Sequence, residues 1–190
     1  DKKTDETLKN LDTGVEPNRH INKNFQWNKL HLFDNDLKKW DFIFYIDINM
    51  TIHKNMNSLF KLKPINKIFA NEDSSSHEEW TLGGQFDNTN PIYKDLDGNY
   101  DLKIKNYFQS GILYFDTNII EISTKSNILE LVTKYPISKT NEQGILNIYF
   151  LYIKKLYEVM PQKVDGLTTY SYWKKNDSVI ITKQLTDQYK

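Results

Sequence analysis

Asp47 and Asn49 stand two residues apart, directly after the run Phe42-Ile43-Phe44-Tyr45-Ile46. A carboxylate and a side-chain amide at that spacing are oxygen donors of the kind a hard divalent cation takes, above all one that carries phosphates. On extended backbone both oxygens would face the same way. The apolar run is long enough for a strand buried on both faces and too short for a buried helix. In an open α/β sheet, ligands gather beyond the carboxyl ends of the strands, so Asp47 stands where something would be held. The plainer account of Asp47-Ile48-Asn49 is a turn that breaks the strand, and these residues alone leave both accounts open. His77, Glu78 and Glu79 are metal-capable as well, but a solvated loop accounts for them and they receive no role.

The elements that must position these groups follow from periodicity and turn chemistry. Residues 1–24 are polar and broken by Gly14 and Pro17, which reads as a loop. Between Phe25 and Lys38, Trp27, Leu30, Phe33 and Leu37 recur at helical spacing and predict a helix that carries Lys29. Met56, Leu59 and Phe60 suit a short helical turn, and residues 67–70 a short strand. Residues 71–106 hold Ser74-Ser75-Ser76, Gly83-Gly84, Pro91 and Asp97-Gly98, a long connection of turn residues that Trp80, Phe86 and Tyr93 would anchor. A second buried strand is predicted over Ile112-Leu113-Tyr114-Phe115-Asp116, entered through Phe108-Gln109-Ser110-Gly111. Asn118 or Ser123 can cap a following helix that buries Ile128, Leu129, Leu131 and Val132 and stops at Pro136. A further helix runs from Asn141 to about Tyr152, and 156–160 and 179–182 read as short late strands. Strands alternating with helices indicate an α/β or mixed three-layer sandwich.

Composition narrows the classes of function. A chain of 190 residues is long enough to bury a sizeable core as one domain. With 25 basic against 25 acidic residues there is no electrostatic footprint for nucleic acid and no polybasic membrane patch. No apolar run is long enough to span a bilayer. The chain reads as soluble, and the absence of cysteine excludes a disulfide framework and fits a reducing, cytoplasmic setting. Asn49-Met50-Thr51 and Asn176-Asp177-Ser178 match the glycosylation pattern, which an Asn-rich chain does by chance.

Three segments, in this order, resemble the GT-A glycosyltransferases, most closely family 8, the glycogenin-like enzymes. The first runs from Trp27-Asn28-Lys29-Leu30 through Phe44-Tyr45-Ile46-Asp47-Ile48-Asn49 to Asn57-Ser58-Leu59-Phe60, and is similar to the family's lysine helix, its strand ending in Asp-x-Asp and the stretch beyond. The second is Tyr107-Phe108-Gln109-Ser110-Gly111-Ile112-Leu113-Tyr114-Phe115-Asp116, similar to a "Phe-Asn-Ser-Gly" strand start. The third is Asn141-Glu142-Gln143-Gly144-Ile145-Leu146-Asn147, similar to "Asp-Gln-Asp-Ile-Leu-Asn". The resemblance implies a GT-A (Rossmann-like) α/β/α sandwich of three layers with a mixed, mostly parallel central sheet. It implies a hexosyltransferase-type enzyme that moves a sugar from a nucleotide diphosphate donor, a UDP-sugar, to a hydroxyl of a glycan or protein acceptor, with retention. Mn2+ or Mg2+ at Asp47 and Asn49 would offset the charge of the departing diphosphate. Lys29, Asp47, Ile48, Asn49, Ser110 and Gly111 would bind the donor, and Gln109, Glu142 and Gln143 would form the catalytic sugar pocket, with Gln143 nearest the anomeric carbon.

The chain departs from that pattern at several points. Asn49 replaces the second aspartate, which removes one anionic ligand and lowers the expected metal affinity. The family's late metal-binding histidine has no counterpart, since His20, His31, His53 and His77 all lie early, and Thr182 falls near its place. Gln109 and Glu142 are each a methylene longer than the family's Asn and Asp. The stretch before Trp27 is too short for the strands that hold the nucleotide base, so residues 1–190 read as one GT-A-like domain lacking or truncated in those strands. These departures keep open a catalytically weak or inactive module that binds a nucleotide sugar or glycan. A partner-binding domain that uses the aromatic residues of 80–93 is a third class.

Overall fold

The structure, a computed structural model, describes residues 24–73, 79–172 and 177–183. The polar lead-in up to residue 23, Ser74-Ser75-Ser76, His77, Glu78 and Asn176 lie outside the described residues. The strands are β1 (Phe42–Ile46), β2 (Met50–Ile52), β3 (Ile68–Glu72), β4 (Phe108–Asp116), β5 (Tyr157–Val159), β6 (Lys163–Val164), β7 (Leu167–Ser171) and β8 (Val179–Lys183). They form one sheet in the order β1-β4-β3-β5 and a second in the order β2-β8-β7-β6. The helices are α1 (Asn57–Phe60), α2 (Ile92–Asn99), α3 (Thr124–Lys134) and α4 (Glu142–Asn147), with 3₁₀ segments at Asn24–Phe33, Asn35–Lys39 and Leu82–Gln85.

β4 is the pivot of the molecule. All nine of its residues are buried, and Ile112 to Phe115 divide by the two-residue period of a strand, an order that breaks nearer its start, where the pairing with β3 shifts register and Phe108 joins the core of Leu113 and Phe115. Leu113 and Phe115 pack into a core with Leu30, Phe33, Val132, Ile145 and Phe150, so the helices cover that face. Ile112 and Tyr114 pack on the other face with Met50, Leu59, Ile180 and Ile181. That face is covered by the second sheet and α1, where an α/β/α sandwich would have helices. The apolar residues that close it come from β2 and β8, whose short lengths conceal a layer when read one at a time.

The sheet itself also differs from the mostly parallel one expected. β4 runs antiparallel to both β1 and β3, and the parallel joint is between β3 and β5. Alternation of strands and helices in sequence does not set strand direction, and here the long connection returns the chain to the end of the sheet where β1 leaves it. As a consequence Gly111, early in β4, lies beside Asp47, just past β1, and accepts its backbone N–H at 2.9 Å. β1 is only half-buried, at one side of the described sheet, so β4 is the strand with two covered faces.

Two helical expectations change form. The segment carrying Lys29 is 3₁₀ rather than α, and it still buries Trp27, Leu30 and Phe33. Beyond Asn147 the last predicted helix widens into a π-helical stretch, Ile148–Ile153, with Lys154 N–H donating to the Tyr149 carbonyl at 2.8 Å. The long connection is more ordered than its turn residues indicate, since α2 contains Asp97-Gly98 within its span. Ser123 does precede α3, without a side-chain capping bond.

Candidate functional site

At the carboxyl end of β1 the chain turns instead of continuing. Residues 47–49 form a tight turn closed by Met50 N–H on the Asp47 carbonyl at 3.1 Å, because β2 leaves for the second sheet. The extended geometry that would align Asp47 with Asn49 is therefore absent. Asp47 lines an open cleft of about 460 Å³, a volume suited to a small-molecule ligand. Ile48 is fully exposed, Asn49 is exposed, and neither lines the cleft.

The same cleft is lined by Lys29, Gln109, Ser110, Gly111, Glu142 and Gln143, so seven of the nine residues singled out from sequence meet there. Lys29 is 7% exposed beneath it. Its ammonium reaches Asp47 Oδ1 at 3.0 Å, Glu142 Oε1 at 2.8 Å and Ser110 Oγ at 3.2 Å. An ammonium has three donors, and these partners occupy them. Burial works against the charge of Lys29, but the two carboxylates outweigh it and hold the proton above the usual lysine value. Glu142 is 1% exposed, and burial pushes its carboxyl up despite Lys29 and the Ser110 hydroxyl, which donates to Oε1 at 2.7 Å. Its other oxygen, Oε2, has no hydrogen-bond partner among the described residues.

Asp47 is fixed from one side only. The Tyr45 hydroxyl donates to Oδ1 at 2.8 Å, and burial with the Asp47 charge raises that phenol. Oδ2 lies over Gly111, where a Cβ would stand 3.3 Å from it and 2.6 Å from the Met50 methyl. Glycine at 111 thus keeps the space beside the carboxylate open.

A second network forms the cleft wall. Gln143 accepts from Ser110 N–H at 3.0 Å and donates Nε2 to Asp73 at 3.0 Å and to Gln85 at 2.8 Å. Gln85 in turn donates to the Tyr107 hydroxyl at 3.4 Å. The turn that delivers Glu142 and Gln143 is strained: Asn141 has φ 54° and ψ −119°, a region that costs about 1–3 kcal/mol. Ser138 Oγ donates to its carbonyl at 2.6 Å, and its amide donates to Gln26 at 2.5 Å.

Asp73, Gln85, Tyr107, Tyr172 and Lys183 also line the cleft and were not singled out. Asp73 follows β3 as Asp47 follows β1, so the argument from strand ends applies to it equally. Lys183 closes β8, stacks over the Tyr172 ring at 4.9 Å, and stands next to the position where a late histidine was sought. Thr182 bonds His53 at 2.8 Å instead.

The lining holds four carboxyl side chains (Asp47, Asp73, Glu79, Glu142) and two lysines (Lys29, Lys183). Among the described residues no three His, Asp or Glu side chains gather as a ready metal site, and no helix is long and apolar enough to cross a membrane.

No protein-family model matches the chain, and no curated protein matches it. Its structure is similar to the crystal structure of mouse xyloside xylosyltransferase 1 in its apo form, with a TM-score of 0.55 and 12% identity, over 96% of this chain and 71% of that one. At that identity the likeness is one of fold. The chain has a glycosyltransferase-like α/β fold.

Proposed function

We propose that this domain is a glycosyltransferase of the GT-A type, resembling family 8, that takes a UDP-sugar in the cleft and transfers the sugar, with retention, to a glycan or protein hydroxyl. The observation that carries this reading is the convergence of three separate segments, at Lys29–Asp47, Gln109–Gly111 and Glu142–Gln143, on one open cleft of a glycosyltransferase-like fold.

The chain's own residues would divide the work. Asp47 would meet the diphosphate through a cation at the cleft floor that Gly111 leaves open, Gln109 would meet the sugar through its amide, and Gln143, fixed by Ser110 N–H, Asp73 and Gln85, would stand nearest the anomeric carbon. Lys29, with its donors occupied, acts on the diphosphate by its charge while holding Asp47 and Glu142 in place. Lys183 offers a second positive group on the cleft wall.

A bare pyrophosphate beside the Asp47 carboxylate would be repelled, so a cation would be needed on the ligand side. Asp47, whose Oδ2 faces the space that Gly111 leaves open, would help to hold Mn2+ or Mg2+ that arrives on the diphosphate, whereas Asn49 lies outside the cleft and no ready site for a cation bound alone is found among the described residues. When bound, the metal supplies Lewis-acid stabilisation of the departing phosphate charge.

Release of UDP from a panel of UDP-sugars with Mn2+, for the wild type, Asp47→Ala and Asn49→Asp, tests the reading. Turnover that Asp47→Ala abolishes is expected, with Asn49→Asp, at an exposed position outside the cleft, leaving it unchanged. No turnover in the wild type or Asn49→Asp would end the enzyme claim in favour of a nucleotide-sugar or glycan-binding module. The observation on that module's side is that Asp47 is already paired with Lys29.

A further inference from the structure

A second concavity of about 240 Å³ adjoins the cleft and shares Asp73, Gln109 and Tyr172 with it as a common wall. Its other boundaries come from the ends of β3 and β5 and from β7, elements with no part in the donor site described above. We propose that this concavity is an acceptor subsite that binds one sugar ring of a glycan, and the proposal rests on the glycosyltransferase reading of the main cleft.

The chemistry of the lining is that of a saccharide site. Tyr170 and Tyr172 stand edge to face with ring centroids 6.5 Å apart, and Val159 and Met160 add apolar surface for the C–H face of a pyranose. Asn71, Gln109 and Gln162 bring side-chain amides, which both donate to and accept from sugar hydroxyls. The volume lies below that of sites for larger organic ligands, which limits the occupant to a single ring with the rest of the glycan in solvent.

The shared wall gives the two compartments a functional relation. Gln109 Oε1 accepts from the Tyr170 hydroxyl at 3.5 Å, and Asp73 accepts from Gln143 at 3.0 Å. A ring on the Tyr170 side therefore meets the side chains that the donor sugar would meet from the cleft side. The two concavities adjoin at those side chains, so an acceptor hydroxyl that passes beside them would reach the sugar to be transferred.

Ligand-observed saturation-transfer NMR with UDP and Mn2+ and a panel of methyl glycosides (xylose, glucose, galactose, mannose) tests the proposal. Val159→Trp fills the concavity from a residue that is 42% exposed, and Gln162→Ala removes an exposed amide, so neither threatens the core. At least one methyl glycoside is expected to receive saturation alongside UDP. Val159→Trp should abolish its signal and Gln162→Ala should weaken its binding about tenfold, the loss of one good hydrogen bond, with UDP unaffected in both. A UDP signal with no glycoside signal, or a glycoside signal that Val159→Trp leaves intact, would overturn the subsite while sparing the donor site. Glycoside binding without UDP binding would retain the concavity as a sugar site and overturn the donor reading, and absence of both signals would overturn both.

Discussion

Lys29 and Glu142 form the most consequential pair in the molecule, since both are almost fully buried and each would be costly alone. Replacing Lys29 by Met leaves Glu142 without its cation, and the expected loss is about 3–5 kcal/mol near neutral pH. The sign of the pH dependence follows from the direction of the Glu142 shift. A carboxyl raised in the folded state contributes stability that is fully present below the usual value of 4.5 and is lost as pH rises through the folded value. Removing Lys29 raises it further, so the Lys29→Met defect should shrink on acidification toward pH 4.5. Urea unfolding of both proteins at several pH values measures this, and a defect that does not change with pH would contradict it. The types and order of these residues were legible in the sequence. The depth of Lys29 was not, because a lysine on an apolar segment is solvated far more often than buried, and only its two partners, distant in the chain, reverse that preference.

At the scale of elements, α4 approaches the rest of the domain through Gly144. A Cβ there would stand 2.9 Å from both Phe86 Cζ and Ser138 Oγ. Gly144→Ala gains about 1 kcal/mol of helix propensity and incurs about 1–3 kcal/mol of overpacking, so net destabilisation is expected in thermal or urea unfolding. Gly98→Ala, in α2 with nothing within 4 Å, should instead stabilise by about 0.5–1 kcal/mol. Equal effects of the two substitutions would refute the packing account. Most strands and helices were legible from apolar runs. The hairpin of β6 and β7 was also within reach: Asp165-Gly166 carries positive φ at both residues, 49° and 78°, as a two-residue turn of this kind demands. It escaped because Lys163-Val164 is too short to show alternation. Asp97-Gly98 misled in the opposite direction, as the same dipeptide sits inside a helix that starts at Ile92, just after Pro91. Dipeptide chemistry is decided by what the flanking residues bury, here Leu96 in α2.

On the scale of the whole molecule, the glycosyltransferase-like fold places a strand end, a glycine-bearing central strand and a strained helix start around one negatively lined cleft. The segments and their order were readable. The direction of β4 and the sheet that covers its second face were not, because apolar periodicity reports burial and says nothing of the partner that provides it. The cleft's charge makes the account specific: a pyrophosphate should enter only with a divalent cation that Asp47 helps to hold. Calorimetric titration of UDP with Mn2+, with EDTA, and into Asp47→Asn is the most direct measurement of that claim. The account predicts that Mn2+ tightens UDP binding by at least about tenfold and that Asp47→Asn loses the gain, a difference of about 1.4 kcal/mol or more. Equal affinity with Mn2+ and EDTA, or an Asp47→Asn protein that binds as the wild type does, would contradict it.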